Sequence, residues 1–273
     1  MASSAIPCSQ RNGLLFMTFL QMLLLFVAAV CGGTLNSVAG GGTFFTFPAL
    51  LFTGIPPINA QATSATALLP GGIASVGAYR RELAKIPRGM LVMLAGSSLV
   101  GGVFGATLLL HTSQDVFIHL VPFLLLIATV LFAGSGFISA RLRGRSEHKT
   151  QRSAILLVGI CVAQLLIATY GGYFSGGQSI LIMTALALMG IESIHEINAL
   201  KTLLASCINS VAVITFIIGG AVTWHLALLM AVGAIIGGYG GAYVARKINP
   251  KWVRLFVILV GVVLTIYFFV KPS

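Results

Sequence analysis

The sequence predicts an all-α integral membrane protein, and three observations support this prediction. Of the 273 residues, 58% are hydrophobic and only 8% are charged, whereas soluble domains carry about 25% charged residues. The mean hydropathy is +1.03. Ten apolar segments follow one another along the chain, and the 32 glycines suit close helix packing in lipid. We therefore expect a chain whose main solvent is the bilayer.

The apolar segments predict helices of two lengths. A full crossing of the membrane needs about 20 residues, and most segments approach that length. Two segments have only about 12 residues, or about 18 Å of helix, and each of them follows a glycine-rich break. We predict that these two are broken or re-entrant helices. In chain order, the segments are 14–35, 43–54, 58–79, 89–110, 116–140, 153–170, 178–189, 194–218, 222–245 and 252–270.

Matching glycines recur at a nearly constant spacing, which predicts an internal repeat. Gly41-Gly42 corresponds to Gly176-Gly177 at an offset of 135 (176 minus 41), and Gly101-Gly102 corresponds to Gly237-Gly238 at an offset of 136 (237 minus 101). One inserted residue explains the change of offset. The predicted division is a first transmembrane repeat, a basic cytoplasmic linker and a second transmembrane repeat, at residues 1–140, 141–152 and 153–273.

Basic residues cluster in gaps between the apolar segments, and their positions predict the orientation of the chain. The clusters lie at 80–88, 141–152 and 246–254, and short loops rich in Lys and Arg stay on the cytoplasmic side. The gaps at 111–115 and 219–223 contain neither residue, so we expect them outside. Both termini then lie outside, and the halves enter the membrane from opposite sides as inverted-topology repeats. The net charge of +11 therefore does not indicate nucleic-acid binding.

Each short segment begins directly after glycines, and this arrangement predicts an anion site. Amide hydrogens at a helix N-terminus, together with the helix macrodipole, attract anions without a charged side chain. Inverted repeats with broken helices are common in transporters. The alternative is that the glycines only allow tight packing. The candidate substrate-binding residues at the breaks are Asn36, Gly40, Gly41, Gly42, Thr43, Ser175, Gly176, Gly177 and Gln178.

The long segment after each short one carries polar residues along one face. Such residues should face protein or water inside a membrane. Lys201 is the only charged residue that we expect within the hydrocarbon region. It would balance the charge of a bound anion, or it would extend to the cytoplasm as long basic side chains do near helix ends. These faces add six candidates, which are Thr63, Thr66, Asn198, Lys201, Thr202 and Asn209.

The sequence favours neither an enzyme nor a metal or cofactor site. The four cysteines have no metal-ligand spacing. His195-Glu196 begins like a zinc-protease motif, but position 199 is Ala, so the second ligand is missing. No Asp or Glu lies well inside a segment, so the carboxylate relay of proton pumps and cation-coupled carriers is missing as well.

Four stretches of the chain resemble a known family. They are residues 36–48, 62–66, 172–178 and 198–201, and they look like the sulfite exporter TauE/SafE family, also called the toluene-sulfonate uptake permeases. The similarity covers nearly the whole chain, including its two halves. The resemblance implies a bacterial or archaeal inner-membrane transporter of sulfite, sulfonates or related sulfur-containing or organic anions.

We therefore expect a transporter that exports a small anion by alternating access. The interior-negative membrane potential drives an anion outward by about 2.3 kcal/mol per charge per 100 mV, and basic cytoplasmic loops concentrate anions at the inner mouth. A passive anion channel would share all these features. A structural subunit of a membrane complex is the other alternative, although a scaffold needs no unwound backbone. The expected partners are a small anionic solute and the lipid bilayer, and a homo-oligomer is left open.

Overall fold

The computed structural model is helical wherever it describes the chain, with turns between the helices. The described residues are 19–38, 40–143, 154–189, 191, 193–245 and 250–270. Each of the ten apolar segments coincides with one helix, and a short additional helix, α4, lies between two of them. The helices described are α1 Phe19–Val38, α2 Thr43–Phe52, α3 Pro57–Ala78, α4 Arg80–Leu83, α5 Arg88–His111, α6 Gln114–Arg143, α7 Ala154–Tyr173, α8 Gln178–Leu188, α9 Ile194–Ile218, α10 Trp224–Ala245 and α11 Pro250–Val270.

Helix lengths agree with the distinction between long and short segments. Within the described residues, four stretches are long and apolar enough to cross a membrane by length and composition, namely Phe19–Asn36, Arg88–His111, Gln114–Leu131 and His195–Ile218. By contrast, α2 has 10 residues and α8 has 11. These two helices cover only about 15 Å each at 1.5 Å per residue, which is about half of the hydrocarbon core.

Local signals explain where two of the long helices begin. Pro57 occupies the first turn of α3, where its missing amide hydrogen costs nothing because that position has no partner within the helix. At α9, the amide of Glu196 donates to the hydroxyl of Ser193 at 3.4 Å. A Ser followed three residues later by Glu is a capping box. His195 and Glu196 therefore belong to an ordinary helix start.

Large apolar side chains cover much of the outer surface of the bundle, and several polar side chains are buried inside it. Phe104, Leu166 and Leu228 are 62%, 65% and 62% exposed, and large exposed apolar surfaces of this kind contact lipid in membrane proteins. On α3, by contrast, Gln61 and Ser64 are almost fully buried. Polar groups in a membrane segment face protein rather than acyl chains, so this distribution fits a multi-pass membrane protein.

Two helix pairs pack closely enough to need glycine. α1 lies along α10, and α5 lies along α7. A Cβ atom added at Gly237 of α10 would overlap the carbonyl oxygen of Val30 in α1, and one added at Gly105 of α5 would overlap the carbonyl oxygen of Thr169 in α7. Small residues let helix backbones approach in this way. Each pair joins one helix of the N-terminal half to one helix of the C-terminal half.

Aromatic rings fix the short helix α2 in the centre of the bundle. Phe47 of α2 is fully buried. Its ring meets Phe117 of α6 edge-on at a centroid distance of 6.2 Å and Phe174 at 5.6 Å. Edge-to-face pairs of this kind add stability beyond the area they bury. Because Phe174 directly follows α7, the same contact brings α2 to the end of α7.

Two helices extend further toward their breaks than the sequence predicted. α1 continues to Val38, so Asn36 belongs to its last turn. α7 continues to Tyr173, so the second break starts at Phe174 and not at Gly171. The missing side chain of Gly171 leaves room for Gln178, whose Oε1 a Cβ at this position would overlap.

The predicted linker is described only at its beginning. α6 continues to Arg143, so residues 141–143 are helical. The rest of the linker, at 144–152, lies outside the described residues, as do 1–18 and 271–273 at the chain ends.

Candidate functional site

The two glycine-rich breaks lie against each other. The hydroxyl oxygens of Thr43, the first residue of α2, and Ser175, in the second break, are 2.9 Å apart. A Cβ added to Gly40 in the first break would overlap the side chain of Ser179 in α8. Residues from the two halves of the chain therefore form one site.

Both breaks use glycine for its backbone freedom. Gly40 has φ 74° and Gly177 has φ 77°, a left-handed conformation that glycine adopts without the steric cost of a Cβ atom. The second break is also held from α7, because the hydroxyl of Tyr170 donates to the carbonyl oxygen of Gly176 at 2.7 Å. The breaks are thus defined turns that end against one another.

Neither short helix has a side-chain cap. Gly42 precedes α2 and Gly177 precedes α8, and no side-chain hydrogen bond caps either helix. The first amide hydrogens of a helix have no acceptor within it and carry the positive end of the macrodipole. At these ends the amides of Phe44 and Phe45 already donate to the carbonyl oxygens of Gly41 and Gly42, and the amide of Ile180 donates to that of Gly177. The two ends, linked through Thr43 and Ser175, therefore contribute mainly the positive potential of the macrodipole, without a basic side chain.

Gln61 of α3 joins this site, although the sequence prediction omitted it. Its Nε2 donates to the hydroxyl of Ser175 at 3.3 Å, and its side chain is 1% exposed. Its Oε1 is buried without a hydrogen-bond partner. One signal could have identified it: Gln61 is a polar residue inside a predicted membrane segment, one position before the 62–66 stretch.

Residues of α3 other than the predicted Thr63 and Thr66 contact α2 and the second break. Ser64 hydrogen-bonds to Thr46 of α2 at 2.6 Å. Thr66 instead turns its hydroxyl back to the carbonyl oxygen of Ala62 in the same helix, at 2.8 Å. The contacts to α2 and to the second break are made by Ser64 and Gln61, on another side of α3.

Gln178 and Asn209 form the corresponding polar contact in the C-terminal half. The Nε2 of Gln178 donates to the Oδ1 of Asn209 on α9 at 3.1 Å. Gln178 is 3% exposed, and its Oε1 is buried without a hydrogen-bond partner. Both central glutamines therefore use one end of the amide within the protein and leave the other end unpaired.

The remaining candidates on α9 are not at the breaks. Lys201 precedes Asn209 by eight residues, or about 12 Å along a helix. Its side chain is 8% exposed and makes no ion pair with any other described residue. Thr202 donates to the carbonyl oxygen of Asn198, also on α9, at 2.8 Å.

Thr63 belongs to a separate network at one end of the bundle. Its hydroxyl accepts from the amide of Thr223 at 3.0 Å. Nearby, Asn59 donates to the carbonyl oxygen of Ala221 at 2.9 Å, and the amide side chain of Gln114 donates to Asn59 at 3.4 Å. These bonds tie the start of α3 to the start of α6 and to the turn after α9.

The chemistry of the site is that of neutral donors and acceptors. Within the ranges that the structure describes, no group of three or more His, Cys, Asp or Glu residues could hold a metal ion. The residues at the breaks are hydroxyls, amides and uncapped backbone. Such groups can bind an anion by replacing its hydration shell with fixed dipoles, and they can release it without breaking an ion pair.

Comparison with known proteins identifies similar membrane transporters. The family model of the sulfite exporter TauE/SafE matches residues 25–268. The chain is 28% identical to a probable membrane transporter protein, ORF9, of Sinorhizobium sp over 94% of the chain and 95% of that protein. It is 26% identical to the probable membrane transporter protein YfcA of Escherichia coli K12, over 93% of the chain and 91% of that protein.

A third relative is also a probable membrane transporter protein. The probable membrane transporter protein YunE of Bacillus subtilis is 26% identical over 89% of the chain and 96% of its own length. No solved structure matches the chain.

Proposed function

The chain belongs to the sulfite exporter TauE/SafE family of membrane transporters, and on this premise we propose that it exports a small oxyanion by alternating access. The proposed substrate is sulfite, a sulfonate or a related anion, and the proposed location is the cytoplasmic membrane of a bacterium or archaeon. The observation that carries the proposal is the hydrogen bond between Thr43 and Ser175, which joins the two breaks into one site.

Helix packing supports a two-fold relation between two repeats. The first helix of each half, α1 or α7, packs along a helix near the end of the other half, α10 or α5. A two-fold relation between the halves would exchange these two pairs. We propose that the axis lies in the membrane plane, that α2 and α8 are re-entrant, and that both termini are outside.

The glycines at these interfaces support the same relation. A Cβ atom at Gly237 would meet the carbonyl oxygen of Val30, and a Cβ atom at Gly101 would meet that of Leu165. The offsets are 136 (237 minus 101) and 135 (165 minus 30). Corresponding glycines thus contact corresponding carbonyl groups, which two unrelated halves would have no reason to do.

The proposed outward direction of transport rests on the negative charge of the substrate. The membrane potential drives anions out of the cell by about 2.3 kcal/mol per charge per 100 mV, so export needs no coupling ion. The whole chain contains only five Asp and Glu residues, and none lies in the middle of an apolar segment. Without a membrane-embedded carboxylate there is no obvious site for a driving proton or cation.

We further propose that Lys201 attracts the anion on its way to the breaks. Because the side chain is buried and makes no ion pair with another described residue, its charge is available to a passing anion. Electrostatic attraction along a path raises the rate of entry by about tenfold or more, so Lys201→Met should lower flux at a low anion concentration by about tenfold. Lys201→Arg should retain most of that flux. Equal flux in the two variants would show that the lysine only extends to the aqueous surface.

The function itself is tested on purified protein and in proteoliposomes. Thermal unfolding is measured with sulfite, sulfate, thiosulfate, methanesulfonate, acetate and chloride, because a ligand that binds the folded state raises the melting temperature. Flux of the stabilising anion should saturate and should show counter-flow. Flux that does neither would indicate a channel and contradict alternating access. The absence of both stabilisation and flux would favour a structural subunit.

A further inference from the structure

Gln61 occupies an unusual position for a buried glutamine. It lies on α3, and it is 1% exposed. One end of its amide is bonded to Ser175 in the second break, while Oε1 is buried without a hydrogen-bond partner. A buried polar atom without a partner is costly, and in native proteins such an atom calls for an explanation such as a bound ligand. Because the bonded end contacts the break itself, the free end lies beside the proposed anion site.

The hydrogen bonds of Gln61 continue across both breaks. Gln61 contacts Ser175, and Ser175 contacts Thr43 at 2.9 Å. Hydroxyl groups donate and accept, and a glutamine amide offers donors at one end and an acceptor at the other. The donors and acceptors along this chain of hydrogen bonds can therefore all be reversed together. When the amide rotates by half a turn and the two hydroxyls reverse, the free end of Gln61 changes from acceptor to donor.

We propose that the free amide end of Gln61 binds an oxygen atom of the transported anion, and that it selects oxyanions over halides. This inference rests on the proposed function. A deprotonated oxygen of the anion accepts from the amide NH₂ group, whereas a protonated oxygen donates to the amide carbonyl. Gln61 can therefore form a hydrogen bond with either protonation state of the anion. A halide can only accept, and it is spherical, so it cannot be held by the breaks and by Gln61 in one fixed geometry as well as an oxyanion can.

A matched pair of variants separates binding from packing. Gln164 is also a buried glutamine, at 2% exposure, and its Nε2 donates to a serine hydroxyl, that of Ser98, at 2.8 Å. It lies on α7, away from the contacts that join the breaks. Gln61→Leu and Gln164→Leu remove the same groups from similar surroundings, so both should lower the melting temperature. Only Gln61→Leu should change anion affinity.

The first measurement is the Kd for sulfite and for chloride, taken from the concentration dependence of thermal stabilisation. Losing a hydrogen bond to a charged ligand weakens affinity on the order of tenfold to a hundredfold. We expect that loss for sulfite in Gln61→Leu, with a smaller loss for chloride, and no change for either ion in Gln164→Leu. A Kd for sulfite in Gln61→Leu equal to that of the wild type would overturn the role of Gln61 and leave the proposed function standing.

Gln61→Glu provides a second test that keeps the size of the side chain. Where the introduced carboxyl group is ionised it would repel the anion and could not donate to it, so affinity for sulfite should fall further than in Gln61→Leu. Burial raises the pKa of a carboxyl group, so the Kd is measured from acidic to alkaline pH. As the pH is lowered the carboxyl group gains a proton and becomes a donor. The ratio of mutant to wild-type Kd, measured at each pH so that titration of sulfite cancels, should therefore return toward one.

The outcomes distinguish this inference from the proposed function. Equal effects of Gln61→Leu and Gln164→Leu on anion affinity would assign Gln61 a packing role. So would a Kd ratio for Gln61→Glu that stays constant up to the alkaline pH at which the carboxyl group ionises. If the wild-type protein binds neither sulfite nor any other oxyanion tested, the proposed function fails, and the role of Gln61 fails with it.

Discussion

Gly40→Ala is expected to abolish transport while the protein still folds and inserts. At φ 74° a residue with a Cβ atom is strained by about 1–2 kcal/mol. The added Cβ would also overlap the side chain of Ser179 in the opposite short helix, so the two breaks must move apart. The contact between Thr43 and Ser175 would then be lost. The measurement is flux in proteoliposomes that contain equal amounts of monodisperse protein.

Gly54→Ala is the control for this prediction. Gly54 has φ 83°, similar to Gly40, but an added Cβ would find nothing within 4 Å. The substitution introduces the backbone strain without the collision, so most of the flux should remain. Ser179→Gly combined with Gly40→Ala should restore part of the flux, because it removes the side chain that the added Cβ overlaps. If Gly54→Ala and Gly40→Ala lose flux equally, backbone strain alone explains the loss and the contact between the breaks is not needed.

Gly105→Val is expected to cause the largest loss of stability. A Cβ at this position would overlap the carbonyl oxygen of Thr169, and a backbone atom cannot rotate away as a flexible side chain can. Overpacking costs about 1–3 kcal/mol and more where the neighbours are rigid. We therefore expect a melting temperature about 5–10 °C lower, together with a reduced yield of monodisperse protein.

Gly96→Val tests whether that loss comes from the interface with α7. Gly96 lies on the same helix, but an added Cβ there would have no neighbour within 4 Å. Its melting temperature should stay close to that of the wild type. The melting temperatures of Gly96→Val and Gly105→Val are compared by thermal unfolding in the same detergent. Similar melting temperatures for the two variants would contradict close packing of α5 on α7.

Hydropathy and glycine position were enough to predict the helices, because a membrane segment must be long, apolar and helical. They were not enough to predict every boundary. Gly171 was assigned to a break, yet it is helical. In the absence of water, backbone groups remain bonded within the helix as far along the chain as possible, so a glycine in a membrane helix need not end it.

The rotation of each helix was harder to predict than its extent. On α3 the polar residues occupy several sides, so no single apolar face marks the direction of the lipid. Thr66 was chosen as a site residue but bonds within α3, whereas Gln61 and Ser64 contact the breaks. Which side of α3 faces inward depends on its packing against helices of the other half, and that information is not local in the sequence.

The close contacts between helix backbones determine which parts of the protein can move as rigid bodies. α1 and α10 touch through Gly237 and Val30, and α5 and α7 touch through Gly105 and Thr169. Atoms this tightly fitted do not slide past one another without separating the whole interface. The two halves of the chain are therefore joined by two tight interfaces, each between one helix of the N-terminal half and one helix of the C-terminal half. Any hinge that exposes the centre of the bundle must run between these mixed helix pairs, and not along the boundary between the N-terminal and C-terminal halves.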